Sequence, residues 1–268
     1  MSNGETNHWL DEECARAFWD QHKALPYQEL LRDTALWLDP SAGERWLDLG
    51  CGRGELTAVL WQAAPGQIGE IVSVDCNPVN AEALARLGRH LAVPPRPEQL
   101  RFLTGNFSDG LPQFADGHFD GIVSGLAISY AESRDPISGH YTEQAYNRLL
   151  TELYRVLKPG GRLVFSVNVP RPRFRTILWK SLSLAFRVSK PGRVLLNTLR
   201  MLRYGRWLRR EAKRGRFHYL PIEEITRRLH RTGFRAQEHR ISFAGQAYLI
   251  RVRKPAESAS LFAGRASA

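Results

Sequence analysis

An acidic residue followed by three alternating glycines occurs early in the chain, in the sequence DLGCGRG at residues 48–54. A glycine can adopt positive φ, and because it has no Cβ it lets a ligand lie directly against the main chain. The free N–H groups at the start of a following helix favour polar or anionic groups of that ligand. This spacing therefore predicts a main-chain cradle for a nucleoside.

A second carboxylate follows at a spacing that fits the same ligand. The strand-like run Ile71–Asp75 ends in Asp75, about twenty residues beyond the last glycine, where nucleotide-binding folds bind ribose hydroxyls. A carboxylate can accept both hydroxyls at once, so we expect Asp75 to bind the ribose. The alternative for Asp48 and Asp75 is a local role as helix caps or turn residues.

Strand-like and helical patterns alternate along the chain. Short apolar runs predict strands at Trp46–Leu49, Leu100–Leu103, Phe119–Ser124 and Arg162–Val169, the last after the KPGG sequence at residues 158–161 that ends a helix. Further along, the pattern predicts one helix and two strands at Pro221–Thr232, Ala236–Phe243 and Gln246–Val252. Strands separated by helices imply a doubly wound parallel sheet with a ligand crevice at the carboxyl ends of its strands.

The motifs occur in an order and spacing that resemble a known family. They are DLGCGRG at 48–54, VDCNP at 74–78, GNFSDGLP at 105–112, FDGIVSGLAISY at 119–130 and LYRVLKPGGRLVFS at 153–166. The chain resembles the class I S-adenosylmethionine-dependent methyltransferases, in particular the branch with quinone-biosynthesis and other small-molecule enzymes. The likeness covers roughly residues 30–169 and, more weakly, the chain from Tyr219 onward. It implies a Rossmann-like α/β fold with a seven-stranded, mostly parallel sheet, and S-adenosylmethionine as cofactor. A nicotinamide-binding protein is the alternative.

The resemblance implies a role for each residue of the cradle. Asp48 would orient the glycine loop and help to hold the amino-acid end of the cofactor, while Gly50, Gly52 and Gly54 would let the backbone close on it. Further contacts would come from Tyr27, Cys51, Cys76, Asn77, Asn106, Phe107 and Ser124. In the family the residue after the third strand is usually acidic, whereas here it is Asn106, whose amide oxygen can still accept from the adenine amino group. A plain turn is the alternative for Asn106 and Phe107, and core packing is the alternative for Tyr27.

Several polar side chains near the predicted crevice are candidates for catalysis. They are Tyr130, Glu132, His140, Tyr141, His218 and Tyr219. We expect His218 to be the general base, because its ordinary pKa lies near neutrality and it precedes the last helix. Tyr130 and Tyr141 would form walls around the methyl group. A solvated or hydrogen-bonded histidine and loop-anchoring tyrosines are the alternatives, and no metal-binding cluster stands out in the sequence.

The positive charge of the chain is concentrated in one segment. Residues 171–216 hold fifteen Lys and Arg against the single Glu211, a net +14, so the rest of a chain with +11 in total carries −3. Within this segment, residues 176–188 have the pattern of a largely apolar helix. Residues 193–213 have the pattern of a strongly basic helix. We predict a basic helical cap over the open end of the sheet. Three interpretations of this cap stay open. It binds an anionic lipid surface, it is a plain solvated cap, or it binds the phosphates of RNA or DNA.

The expected organisation is a helical segment at 1–40, a methyltransferase domain at 41–255 with the cap inserted at 171–216, and a disordered tail at 256–268. The amino terminus lacks the features of a secretion signal, and no apolar run approaches the ~20 residues of a membrane-spanning helix. Cys14, Cys51 and Cys76 show no pairing pattern. We therefore expect a cytoplasmic protein that contacts the inner membrane face peripherally.

The sequence thus predicts a methyltransferase that uses S-adenosylmethionine and acts on a small, apolar or lipid-linked acceptor. Two alternatives stay open. One is an RNA-directed methyltransferase that binds phosphates through the basic cap, and the other is a non-catalytic protein that binds the cofactor. The common signature of base-amino methyltransferases is replaced here by SGLAISY at residues 124–130, which argues against base amino groups as acceptors.

Overall fold

The computed structural model describes residues 8–10, 25–172 and 204–256. Several of our expectations fall on the other residues and lie outside this description. They are most of the amino-terminal helical segment, the apolar helix at 176–188, the first half of the basic helix, and all but the first residue of the tail.

A seven-stranded sheet forms the centre of the protein. Its strands are β1 (Arg45–Leu49), β2 (Glu70–Asp75), β3 (Leu100–Thr104), β4 (Phe119–Gly125), β7 (Leu157–Asn168), β8 (Arg235–Ser242) and β9 (Ala247–Arg253). Their order is β3-β2-β1-β4-β7-β9-β8, and β9 is antiparallel to both of its neighbours while the other neighbouring pairs are parallel. A two-residue pair, β5 (Ser133–Arg134) and β6 (Tyr141–Thr142), forms a separate hairpin. The expected Rossmann-like fold class is confirmed.

Helices connect the strands. They are α1 (Leu25–Leu38), α2 (Glu55–Ala63), α3 (Val79–His90), α4 (Gln144–Val156), α5 (204–213) and α6 (Ile222–Thr232). The order of the strands reverses between β1 and β4, and ligands of such sheets bind in the crevice at this reversal. None of the described helices is long and apolar enough to cross a membrane.

The core lies on both faces of the sheet because successive side chains of a strand point to opposite sides. On one face, Leu47 belongs to a buried cluster with Leu149 of α4 and Ile225 of α6. On the other face, its neighbour Trp46 packs with Leu38 of α1 and with residues of α2. Burial on both faces accounts for the nearly continuous apolar runs in the sequence of the central strands.

The start of β7 differs from the expectation for the KPGG sequence. Helix α4 ends at Val156, and β7 begins at once with Leu157, so residues 158–161 already belong to the strand. The pairing of β7 with β4 shifts register between Phe119 and Gly121. Such an irregularity lets one strand carry extra residues, which a pattern of alternating side chains cannot reveal.

Candidate active site

The three glycines of the DLGCGRG loop all have positive φ, at 69° for Gly50, 52° for Gly52 and 91° for Gly54. A Cβ on Gly50 would lie 2.3 Å from Cβ of Ala127, and one on Gly54 would lie 2.4 Å from Cδ1 of Leu84. A Cβ on Gly52 would meet no described atom within 4 Å. Gly50 and Gly54 are therefore required for close packing, whereas Gly52 borders the open pocket.

Gly52→Ala is expected to weaken cofactor binding about tenfold, because the added methyl group would enter the space that the loop leaves for the ligand. The left-handed backbone would cost about 1 to 2 kcal/mol of stability. Gly43, in an exposed turn with φ 79° and no atom near its ideal Cβ, gives the matched control. Calorimetric titration with S-adenosylmethionine should show normal affinity for Gly43→Ala, and normal affinity for Gly52→Ala would contradict this placement of the ligand.

The Asp75 carboxylate lies against the same loop. Its Oδ2 accepts from the Gly52 N–H at 3.0 Å, and its Oδ1 accepts from the Asn77 N–H at 2.9 Å. Burial raises the pKa of Asp75, and hydrogen bonds from the Asn77, Gly52 and Cys76 amides and from the Asn80 side chain oppose that rise. A carboxylate has about four acceptor positions, so ribose hydroxyls would share its oxygens with these donors or displace the Asn80 side chain. The cradle and the predicted ribose carboxylate thus meet in one pocket.

Asp48 lies beneath the loop and does not line the pocket. Its Oδ2 accepts from Oγ1 of Thr57 at 2.6 Å, and that hydroxyl also lies 2.9 Å from Oγ of Ser73. Its buried Oδ1 has no hydrogen-bond partner among the described residues. Burial raises the pKa of Asp48 to about 7. The direct cofactor contact that we expected from Asp48 is therefore replaced by support of the loop from below.

The other predicted cofactor residues divide into two groups. Those that line the pocket are Tyr27, Cys51, Cys76, Asn77, Asn106 and Phe107. Gly54 and Ser124 do not line it, and the Ser124 hydroxyl donates to the Leu49 carbonyl at 2.8 Å, which ties β4 to β1. Oδ1 of Asn106 accepts from the Ser108 N–H at 3.1 Å. The side chain therefore also stabilises a turn, which was the alternative interpretation of Asn106.

Part of the pocket lining is aromatic and apolar, and we call this part the aromatic wall. It is formed by Trp9, Tyr27, Leu126, Tyr130, Leu208 and Phe243. The Trp9 ring lies 4.7 Å from that of Tyr130, centroid to centroid, and the Trp9 carbonyl accepts from Nδ2 of Asn77 at 3.0 Å. Leu208 belongs to α5, the described part of the basic cap. The cap therefore closes directly over the cofactor pocket.

Tyr130 is the predicted catalytic residue that lines this pocket. Its hydroxyl lies 3.1 Å from the Tyr219 hydroxyl and accepts from Nδ2 of Asn168, also at 3.1 Å. Burial raises the pKa of Tyr130 to about 12 and raises that of Tyr219 further. Tyr130 therefore stays protonated at neutral pH and holds a fixed orientation.

His218 lies outside the pocket, against our expectation of a general base. It is buried, and its Nε2 lies 2.9 Å from the Ala131 carbonyl oxygen, which can only accept, so Nε2 carries the proton. Its ring packs 4.8 Å from that of Tyr146, and burial lowers its pKa. His218, Tyr141 and Tyr219 line a second cavity instead. The described structure thus places these three residues in the lining of the second cavity and not of the cofactor pocket, and their catalytic role stays a prediction.

Sequence reasoning missed much of the pocket lining. The additional residues are Trp9, Arg53, Glu55, Asn80, Ser108, Gly125, Leu126, Ala127, Asn168, Leu208 and Phe243. Arg53, Glu55 and Asn80 stand within or beside the recognised motifs, so their neighbourhood was a usable signal. Trp9 and Phe243 come from opposite ends of the chain and carry no local signal, because only folding brings them together.

An ion pair connects the cap to the pocket. Glu132, which lines the pocket, accepts two hydrogen bonds from Arg216, one from Nε and one from Nη2 at 3.2 Å. Arg216 also lies 3.6 Å from Glu211, the buried carboxylate of α5. Breaking a buried ion pair leaves a charge without compensation, so this contact fixes α5 against the loop that follows β4.

These features together define a class of protein. A sheet with this strand order, a glycine cradle at its point of reversal and a carboxylate hydrogen-bonded to that cradle form a nucleoside site of the doubly wound α/β class. The open space beside Gly52 and the Asp75 carboxylate next to it fit the adenosine part of S-adenosylmethionine.

Comparison with known proteins shows which family part of the chain resembles. Residues 47–165, somewhat less than half of the chain, match the family described as "Methyltransferase domain". This part of the chain is therefore similar to methyltransferase domains.

Similar proteins agree with this assignment. A "Demethylmenaquinone methyltransferase" of Symbiobacterium thermophilum is 35% identical over 135 residues, which are 49% of this chain and 46% of the relative. A protein of the same description from Thermus thermophilus is 36% identical over 132 residues, 49% of this chain and 50% of the relative. The chain thus spans about half the length of these curated relatives. A solved "SAM dependent methyltransferase from Aquifex aeolicus" shares the fold with a TM-score of 0.58 at 13% identity, over 91% of this chain and 98% of that one.

Proposed function

We propose that this protein is an S-adenosylmethionine-dependent methyltransferase whose acceptor is small and apolar or lipid-linked. The observation that carries the proposal is the continuity of one pocket. Gly52 and Asp75 line the same pocket as Trp9, Tyr130 and Leu208. The names of the demethylmenaquinone methyltransferases among the relatives agree with an apolar acceptor of this kind.

The chain's contribution to the reaction is binding and orientation. The cofactor supplies, when bound, a methyl group that its sulfonium activates toward nucleophiles. Asp75 and the Gly52 backbone hold the nucleoside, so the position of the reactive end is fixed relative to the aromatic wall. Correct alignment of two reactants supplies up to ~7 to 11 kcal/mol of a reaction barrier. Trp9 and Leu208 exclude water, and the rigidly held Tyr130 hydroxyl can orient a polar atom of the acceptor.

A radiolabel transfer assay tests this proposal. The protein is incubated with methyl-tritiated S-adenosylmethionine and either the apolar or the polar fraction of a cell extract from the source organism. Label should appear in the apolar fraction, and Asp75→Ala should abolish that transfer at a subsaturating cofactor concentration. Binding of the cofactor without transfer to any fraction would support a non-catalytic binding protein. Label that appears only in RNA would support the RNA-directed alternative.

The exposed face of α5 supports a role at a membrane surface. Its exposed side chains include Arg206, Arg209, Arg210 and Lys213, and the exposed Arg214 follows the helix directly, while the buried Leu208 lines the cofactor pocket. A basic helix above an apolar pocket suits an enzyme that takes its acceptor from an anionic bilayer. We include peripheral contact with such a bilayer in the proposed function.

Replacing Arg206, Arg210 and Arg214 together with glutamine is expected to weaken binding to anionic vesicles about 100-fold, since each cation near such a surface contributes about 1 kcal/mol. Cofactor affinity should not change. The matched control replaces the exposed Arg89, Arg231 and Arg253, which lie elsewhere on the protein. Equal losses in both triple variants by co-sedimentation would contradict a dedicated surface on α5.

A further inference from the structure

The second cavity is lined by a cluster of cations that the proposed methyl transfer does not use. Arg171, which follows β7, and Arg209 and Lys213 of α5 line this cavity. None of the three makes an ion pair within the part of the chain that the structure describes. Glu143 supplies the only carboxylate among the described lining residues, and it accepts from Arg228 at 2.9 Å. The cavity therefore has an excess of positive charge.

Without a bound anion, the like charges of this cluster repel one another. Arg209 and Lys213 are four residues apart on one helix, and like charges at this separation destabilise a helix. Arg171 comes to the same cavity from a distant point of the chain. A bound anion would offset this repulsion, and a group with several oxygens could bind all three cations at once.

The cavity also lies close to the reacting centre. Tyr219 lines the cavity, and its hydroxyl contacts that of Tyr130, which lines the cofactor pocket. The tyrosine pair is thus part of a wall between the two cavities. A group bound in the second cavity would sit behind this wall and beneath the basic face of α5.

We propose that this second cavity is a phosphate-binding site, formed by Arg171, Arg209 and Lys213. The phosphate belongs to a free phosphate ester or to the head group of an anionic lipid. The chemistry of recognition is the same for both sources. This inference does not depend on methyl transfer, because it rests on the charge and position of the cavity.

Calorimetric titration with inorganic phosphate and with pyrophosphate, at fixed ionic strength, tests the site. The double variant Arg209→Gln, Lys213→Gln should bind pyrophosphate at least about tenfold more weakly than the unaltered protein. The variant Arg206→Gln, Arg210→Gln is the matched control, because it removes the same charge at the same spacing from the same helix but outside the cavity. Arg171→Gln should also weaken binding, which tests the cavity without altering α5.

Vesicles distinguish the two sources of the phosphate. Phosphatidylcholine vesicles are prepared with phosphatidic acid or with phosphatidylglycerol at equal surface charge. If a lipid head group enters the cavity, the protein should prefer phosphatidic acid, and the 209/213 variant should lose that preference. If a free ester is the ligand, pyrophosphate should bind and the two vesicle types should bind equally. The proposal is overturned if neither phosphate nor pyrophosphate binds at millimolar concentration, or if both double variants lose binding equally.

Discussion

Replacing Asp75 with alanine is expected to weaken the binding of S-adenosylmethionine about a thousandfold. The carboxylate is fixed by the Gly52 and Asn77 amides, and ribose hydroxyls would displace the Asn80 side chain or share the carboxylate oxygens with the other donors. Hydrogen bonds to a charged group contribute about 1.5 to 3 kcal/mol each, and two of them to the ribose hydroxyls account for a loss of this size. Removal of the carboxylate also frees the Gly52 amide, so the cradle would lose an internal support.

Asp75→Asn is the control for this result, because an amide keeps one acceptor oxygen and nearly the same shape. Its affinity should fall between those of the unaltered protein and Asp75→Ala. Thermal unfolding of both variants would show whether the fold is retained. Calorimetric affinities within threefold of the unaltered protein for a folded Asp75→Ala would reject the ribose-binding role and, with it, the cofactor site as described.

The stability of the protein is expected to fall by about 4 kcal/mol between pH 4 and pH 8 through the ionisation of Asp48. Burial raises the pKa of this carboxyl to about 7 from an ordinary value of 3.8, and each unit of difference is worth about 1.4 kcal/mol. The folded state therefore favours the protonated form. This contribution is fully present below about pH 4, declines as pH rises toward 7, and is absent above that pH.

Asp48→Asn tests this prediction, because asparagine cannot ionise and its amide oxygen can still accept from Thr57. The difference in unfolding free energy between the variant and the unaltered protein should shift in favour of the variant by about 4 kcal/mol from pH 4 to pH 8. A loss of stability from the unpartnered amide group of the asparagine would be the same at both pH values, so it would not alter this shift. Urea unfolding at both pH values measures this shift. The same difference in unfolding free energy at pH 4 and pH 8 would contradict a buried carboxyl with a raised pKa.

Asp120→Asn provides a control for which the pH dependence of stability has the opposite sign. Burial favours the neutral form of this carboxyl, but the Arg45 amide and the Lys158 ammonium outweigh it and lower the pKa of Asp120. Its ionised form therefore stabilises the folded protein above the ordinary carboxyl pKa, and that contribution is lost in acid. The advantage of the unaltered protein over Asp120→Asn should grow as pH rises from 3 toward 5.

The cradle and its partner carboxylate were predictable because their signals are local. Gly50, Gly52 and Gly54 mark a turn through their spacing, and Asp75 marks the end of a buried strand. For Asp48, the resemblance had implied that it orients the loop, but its position beneath the loop and away from the pocket was not predictable in the same way. The sequence identifies an acidic residue beside the loop, but only the packing of Thr57 and Ser73 beneath that loop decides that the carboxylate supports it from below.

The amino-acid sequence by itself determined the fold class, the cradle and the charge of the cap, because each depends on residues that lie near one another in the chain. Only the tertiary structure decided which side chains surround the reacting centre. Trp9 and Phe243 join one pocket from opposite ends of the chain, while His218 is carried behind the wall that it was expected to face. The physical reason is that long-range packing fixes where each segment returns to the sheet, and a side chain's chemical type does not encode that path.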